Sequence, residues 1–148
     1  MGNIFKLKFK YSEPLELKYI DEENKQHTVY MGCYGIGVSR VMGVIAEKFA
    51  DDKGLVWPEE VAPYKYYLVG IGENGMAEAE KFYAGREDTT LFDDRKARPG
   101  EKFADAELMG LPYRIVISDK TLAEDAAEVT DRRTGESQMV KLADLAKF

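Results

Sequence analysis

Val29-Tyr30-Met31-Gly32-Cys33-Tyr34-Gly35-Ile36-Gly37-Val38-Ser39-Arg40-Val41-Met42 decides how the N-terminal part of this 148-residue chain is read. A β-branched and aromatic run feeds three glycines, and apolar residues then recur at Val38, Val41, Met42, Ile45 and Phe49. That recurrence is the one-sided stripe of an amphipathic helix. The order is strand, tight turn, helix. Glycine lets a backbone approach a ligand closely, and the unpaired N–H groups of a first helical turn favour an anion. Arg40 in that turn opposes the helix dipole, at a cost of about 0.3–1 kcal/mol unless something negative compensates. Spacing alone leaves two readings: an anion site, or a solvated arginine beside glycines that only let strand and helix pack. Neither a dinucleotide fingerprint nor a P-loop ending is present.

Working outward, residues 1–50 read as a strand near Ile4 to Phe9, a strand from Leu15 to Ile20, a polar hairpin turn over Asp21-Glu22-Glu23-Asn24-Lys25-Gln26, a strand from Thr28 to Tyr34, and a helix from Ser39 to Phe49. Asp51-Asp52-Lys53-Gly54 stops that helix, and the prolines at 58 and 63 mark a linker over 55–63, because proline is poor inside regular elements. Residues 64–148 alternate: strand Tyr64–Ile71, helix Met76–Tyr83, strand Thr90–Phe92, helix Phe103–Met109, strand Tyr113–Ser118, a strand around Glu128–Asp131, strand Gln138–Val140 and a short helix Leu142–Ala146. Such alternation predicts an α/β domain with a mixed sheet, preceded by an antiparallel strand-hairpin-helix segment. The apolar stripe of the Arg40 helix needs neighbours to cover it. Residues 1–50 are therefore expected either to pack in trans, as in a homodimer, or to move more than residues 64–148.

Composition is that of a soluble intracellular protein, 45% hydrophobic and 32% charged, with no apolar run long enough for a signal peptide or a membrane span. One cysteine, Cys33, and one histidine, His27, exclude an internal disulfide and a cysteine-rich zinc site, so no metal ligands are assigned. A Cys33/His27 nucleophilic dyad is the sharper reading of these two residues. A small cysteine near a solvated histidine is the plainer and preferred one.

A formal net charge of −6 argues against a generic nucleic-acid binder. Local charge differs. Between Asp93 and Lys102, four cations (Arg95, Lys96, Arg98, Lys102) meet three acids (Asp93, Asp94, Glu101). Arginine and lysine can meet phosphates or base acceptors, and carboxylates can accept from base amines. A loop held by its own ion pairs explains the same composition.

The run from Met31 to Arg40 resembles motif 3 of class II aminoacyl-tRNA synthetases, in the form found in the bacterial-type prolyl family. Gly2-Asn3-Ile4-Phe5-Lys6-Leu7 and Lys10-Tyr11-Ser12-Glu13 are similar to the stretch preceding that motif, and Gly54-Leu55-Val56-Trp57-Pro58 with Ala62-Pro63-Tyr64 to the junction that follows. The likeness resumes from Leu91 to Pro112. It covers nearly the whole chain in the family's order. The resemblance implies residues 1–54 as the C-terminal segment of a class II catalytic domain, 55–63 as linker and 64–148 as an anticodon-binding domain. It implies that Arg40 is the catalytic arginine contacting ATP phosphates, that Cys33, Gly35 and Gly37 floor the proline and adenylate site, and that Asp94, Arg95, Arg98, Lys102 and Glu107 contact tRNA.

The same resemblance implies a cytoplasmic proline-tRNA ligase that uses ATP and Mg²⁺, with proline and the anticodon of proline tRNA as partners and no membrane. No match to motif 1, motif 2 or the editing insertion is found, so a C-terminal portion is expected, without tightly bound cofactor and without catalysis of its own. The rival reading is a free-standing synthetase-like paralogue that acts as a tRNA- or protein-interaction module. Two departures from the family stand out: Phe9 replaces a small polar residue, and the connection Phe82 to Asp88 is short.

Overall fold

The computed structural model describes residues 2–145. The chain divides into two compact units, residues 1–44 and 45–148. In the first, β1 (Gly2–Lys8) runs antiparallel to β4 (Met31–Ile36), with Phe5 opposite Cys33 and Asn3 opposite Gly35. A separate hairpin joins β2 (Lys18–Ile20) to β3 (Gln26–Thr28). Its turn is set by the Asp21 carboxylate, which accepts from the Glu23 and Lys25 amides, and by Asn24 in the left-handed region at φ 64°. Asparagine tolerates that conformation better than most residues.

Two strand expectations need correction here. The run expected from Leu15 begins only at Lys18, because residues 9–16 wind into turns closed by Glu13 N–H to Phe9 O and Leu15 N–H to Tyr11 O. The run expected as one strand, Thr28 to Tyr34, is two: it breaks at Val29-Tyr30, where the chain leaves β2 as partner and takes up β1. Periodicity cannot show a change of partner. Helix α1 (Val38–Phe49) forms as expected, but it buries no residue, and Val38, Met42 and Phe49 stay exposed.

The second unit is built on a five-stranded sheet in the order β6-β5-β7-β8-β9. Its strands are β5 (Tyr66–Ile71), β6 (Thr90–Asp93), β7 (Tyr113–Ser118), β8 (Ala126–Asp131) and β9 (Ser137–Lys141). Strands β6 and β7 flank β5 in parallel, while β8 and β9 continue antiparallel, which gives the mixed sheet expected. A strand apolar at every position is one covered on both faces, and β5 divides its side chains accordingly. Tyr66 and Leu68 join Ile115, Ile117, Val129 and Ala79 of α2 (Gly72–Tyr83); Tyr67 and Val69 join Val116, Leu111 and Ala106 of α3 (Pro99–Met109).

Both helices start four residues before the sequence reading places them. Gly72-Glu73-Asn74-Gly75 has low helix propensity, yet tertiary packing overrides it. A side chain at Gly75 would come within 2.6 Å of the Ile117 carbonyl, so glycine lets α2 lie close on β7. In α3, proline occupies the first helical turn, where its missing N–H costs nothing. The short α4 (Asp119–Leu122), absent from the sequence reading, is nucleated by a reciprocal cap between Ser118 and Thr121. Helix α5 spans Leu142–Leu145; Ala146, expected to end it, lies outside the described residues.

Residues 55–63, expected as a linker, form a strap hydrogen-bonded to the end of α3. Leu55 and Trp57 donate their amides to the Leu108 and Gly110 carbonyls, and Glu59–Val61 forms a single 3-10 turn. Gly110 caps α3 at φ 66°, and a Cβ there would lie 1.8 Å from the Leu55 carbonyl oxygen. Only glycine permits both that conformation and that approach. Upstream of the strap, both Asp51 carboxylate oxygens accept from Arg132 at 2.7 Å, and Arg132 Nε donates to the Glu107 carbonyl. The pair holds the Asp51 carboxyl well below the usual carboxylate range.

Candidate functional site

Two places carry the candidate residues, one in each unit. On β4, Cys33 and Gly35 share a face, since side chains alternate along a strand. Cys33 is exposed, and a Cβ at Gly35 would meet nothing within 4 Å. This face is an open floor. Gly37 is the one residue between β4 and α1, and the Arg40 side chain folds back over it, its Cδ 3.4 Å from where a Gly37 Cβ would sit. Neither Gly35 nor Gly37 takes a positive φ. Their use is therefore space, not backbone freedom.

At the start of α1, Val38 and Ser39 are exposed and Gly37 is half-buried. Arg40 itself is exposed, and among the described residues it makes no ion pair or hydrogen bond. Cys33, Gly35 and Arg40 are exposed and Gly37 half-buried, so these residues do not close over a ligand by themselves. Nor do they offer a metal cage, because no group of three or more His, Cys, Asp or Glu side chains among the described residues could hold an ion. His27 pairs with Asp21 at 2.6 Å on the far hairpin and stacks on Tyr19. Among the described residues His27 makes no hydrogen bond to Cys33.

In the second unit the charged segment follows β6 into α3. Its organiser is Asp93, a residue absent from the set read from the sequence. The Asp93 carboxylate is buried, with its side chain 2% exposed. It accepts from the Tyr67 hydroxyl at 2.9 Å, from Arg95 Nε at 2.9 Å and from an Arg95 terminal amine at 2.7 Å. The Arg95 guanidinium, first of all, and the Tyr67 hydroxyl hold the Asp93 carboxyl down at about 2 against the cost of burial. Burial, then the neighbouring carboxylate, pushes the Tyr67 hydroxyl well above its usual value. Arg95 also reaches Asp105 at 2.6 Å.

Lys102 takes a different place from the one expected. It is 3% exposed, and its ammonium donates to the Asp93 backbone carbonyl at 2.7 Å. That lysine pins the end of β6 to α3 instead of standing out toward solvent. Glu107 is also separated from the others. It lies nine residues beyond Arg98, about 14 Å along the helix axis, beside Lys53 and in a cleft of about 210 Å³ with Asp51, Arg114 and Arg132. Asp94, Arg95 and Arg98 remain together and exposed at the β6–α3 junction. Asp94, Arg95 and Lys102 line a second cleft with Gly70, Gly72 and Met76.

Asp93 is legible in Phe92-Asp93-Asp94-Arg95 only as one of three acids in a charged segment, able to accept from a base or from a neighbouring cation. Tyr67 had no local signal at all. The two meet because the parallel register sets Tyr67 beside Leu91 and Val69 beside Asp93, so all four side chains point to the α3 face.

Comparison with known proteins follows this division. Residues 67–148 match the family model described as "Anticodon binding domain", and residues 1–49 match "tRNA synthetase class II core domain (G, H, P, S and T)". The chain belongs to the anticodon-binding domain family of the aminoacyl-tRNA synthetases, joined to a class II core segment. Its curated relatives are narrower still: it is 44% identical over 156 residues to the proline-tRNA ligase of Bacillus subtilis, and 42% identical to those of Desulforamulus reducens and Aquifex aeolicus over 152 and 154 residues. These matches cover 97% to 100% of this chain but only 26% or 27% of the relatives. The chain thus spans about a quarter of their length and corresponds to a C-terminal part of them.

Proposed function

We propose that this chain contributes the anticodon-binding module and the motif 3 segment of a proline-tRNA ligase. The observation that carries this reading is the likeness to proline-tRNA ligases across essentially the whole chain; nothing in the comparisons favours the interaction-module alternative. In that enzyme ATP activates proline to prolyl-adenylate with release of pyrophosphate, and the prolyl group then passes to the tRNA. Arg40, folded over Gly37 at the helix start, would neutralise nucleotide phosphate charge, with Cys33 and Gly35 on the substrate floor. Positioning and charge neutralisation are the main levers of such chemistry. Magnesium would supply further neutralisation, but no ligand set for it lies among the described residues.

In the second unit, the exposed Asp94, Arg95 and Arg98 cluster supports contact with the anticodon arm. Fluorescence anisotropy tests this with a labelled proline tRNA transcript, a transcript with a changed anticodon, and the 148-residue chain. Preference for the proline anticodon is expected, and Arg98→Ala should weaken it. Equal binding to both transcripts would refute the assignment. Pyrophosphate exchange is expected to be absent from these residues alone, because half of the arginine clamp implied by the family has no counterpart here.

A further inference from the structure

Arginine carries five N–H donors, on Nε and two terminal amines. In Arg95, Nε donates to one Asp93 oxygen, and a single terminal amine, Nη2, donates both to the other Asp93 oxygen and to Asp105 Oδ2. Both hydrogens of that amine are used. Only the other amine, Nη1, is left to meet an incoming group. The anchor is buried while the arm is not: the Asp93 side chain is 2% exposed and that of Arg95 is 51% exposed. Asp93 is fixed in turn by the Tyr67 hydroxyl on its carboxylate and by Lys102 on its carbonyl.

Resting on the anticodon-binding reading above, we propose that Asp93 and Asp105 are positioning residues that turn Arg95 into a one-point oxyanion contact, offering Nη1 to an RNA phosphate. Forked recognition of guanine O6 and N7 draws on two donor positions of one guanidinium edge. Both such edges here include a nitrogen already committed to a carboxylate. A phosphate oxygen asks for less, a single charged donor held in place. Contacts of this kind fix register without reading sequence. Base identity then falls to neighbouring groups, and Arg95 supplies affinity common to every anticodon.

The sign of one substitution separates positioning from plain charge. Asp105→Asn removes a negative charge from an RNA-facing surface, which by itself strengthens binding. Loss of positioning weakens it. We expect a loss of about two- to fivefold in affinity for the proline transcript, the range for a single solvent-exposed ion pair. Arg95→Ala should lower affinity for the proline and anticodon-changed transcripts by the same factor. It should also reduce the slope of log affinity against log salt by about 0.7–0.9, the contribution of one phosphate.

The ¹⁵N–¹H signal of Arg95 Nε provides a readout that needs no RNA. It is expected to be resolved and slow to exchange in the wild type, to lose that protection in Asp93→Asn and Asp105→Asn, and to regain part of it in Asp105→Glu. Stronger binding by Asp105→Asn, or loss of anticodon discrimination in Arg95→Ala, would overturn the proposal while leaving the anticodon-binding reading intact. Failure of the wild type to bind the proline transcript would overturn both.

Discussion

Replacing Lys102 by alanine tests whether that residue holds the fold or faces RNA. Its side chain is 3% exposed and its ammonium bonds the Asp93 carbonyl at 2.7 Å. Truncation removes three buried methylenes, at about 0.8 kcal/mol each. It also removes a charged hydrogen bond worth about 1.5–3 kcal/mol and leaves a buried carbonyl unpaired. Relief from desolvating the ammonium offsets part of this, so the expected net loss is about 2–4 kcal/mol. Lys102→Met keeps the stem and loses only the bond, for about 1–2 kcal/mol. Trp57, the single tryptophan, packs against the α3-side core and reports this unit by fluorescence during urea unfolding. The midpoint should fall for both variants, in that order, with the urea slope unchanged. A solvated lysine on a helix costs under about 0.5 kcal/mol when truncated, so a Lys102→Ala protein as stable as the wild type would refute the buried-anchor reasoning.

Three other outcomes follow from the same geometry. The Asp93 carboxyl, held near 2 in the fold against about 3.9 for a free aspartate, contributes about 2 kcal/mol above pH 4. That contribution should vanish as pH falls from about 4 through 2, and Asp93→Asn should flatten this limb of a stability–pH curve; an unchanged limb would count against the pairing. Gly110→Ala combines a left-handed φ with a 1.8 Å approach to the Leu55 carbonyl and should cost well beyond the ~1–3 kcal/mol of the φ alone. Gly135→Ala shares the φ, at 73°, but meets nothing within 4 Å, so thermal melts should rank Gly110→Ala far below it. Helix α1, with no buried residue, should exchange its amides faster than β7 in the monomer and gain protection at high concentration if a second copy covers its apolar stripe. Equal protection of α1 and β7 in a monomer would contradict this.

The sequence by itself determined the strands and helices that carry strong local signals. Tyr113–Ser118 was placed to the residue, and α1 to within one, because an apolar run and an amphipathic stripe are properties of neighbours in the chain. The glycine frame around Arg40 and the charged segment after β6 were likewise legible as motifs. Tertiary structure decided which distant residues those motifs meet. Only the parallel register of β5 and β6 puts Tyr67 against Asp93, and only the packing of α3 buries Lys102 and carries Glu107 away from Asp94. The start of α2 and the break at Val29-Tyr30 were illegible for the same reason. Each depends on a partner distant in sequence, and hydrophobic periodicity records which face of an element is covered, not by what.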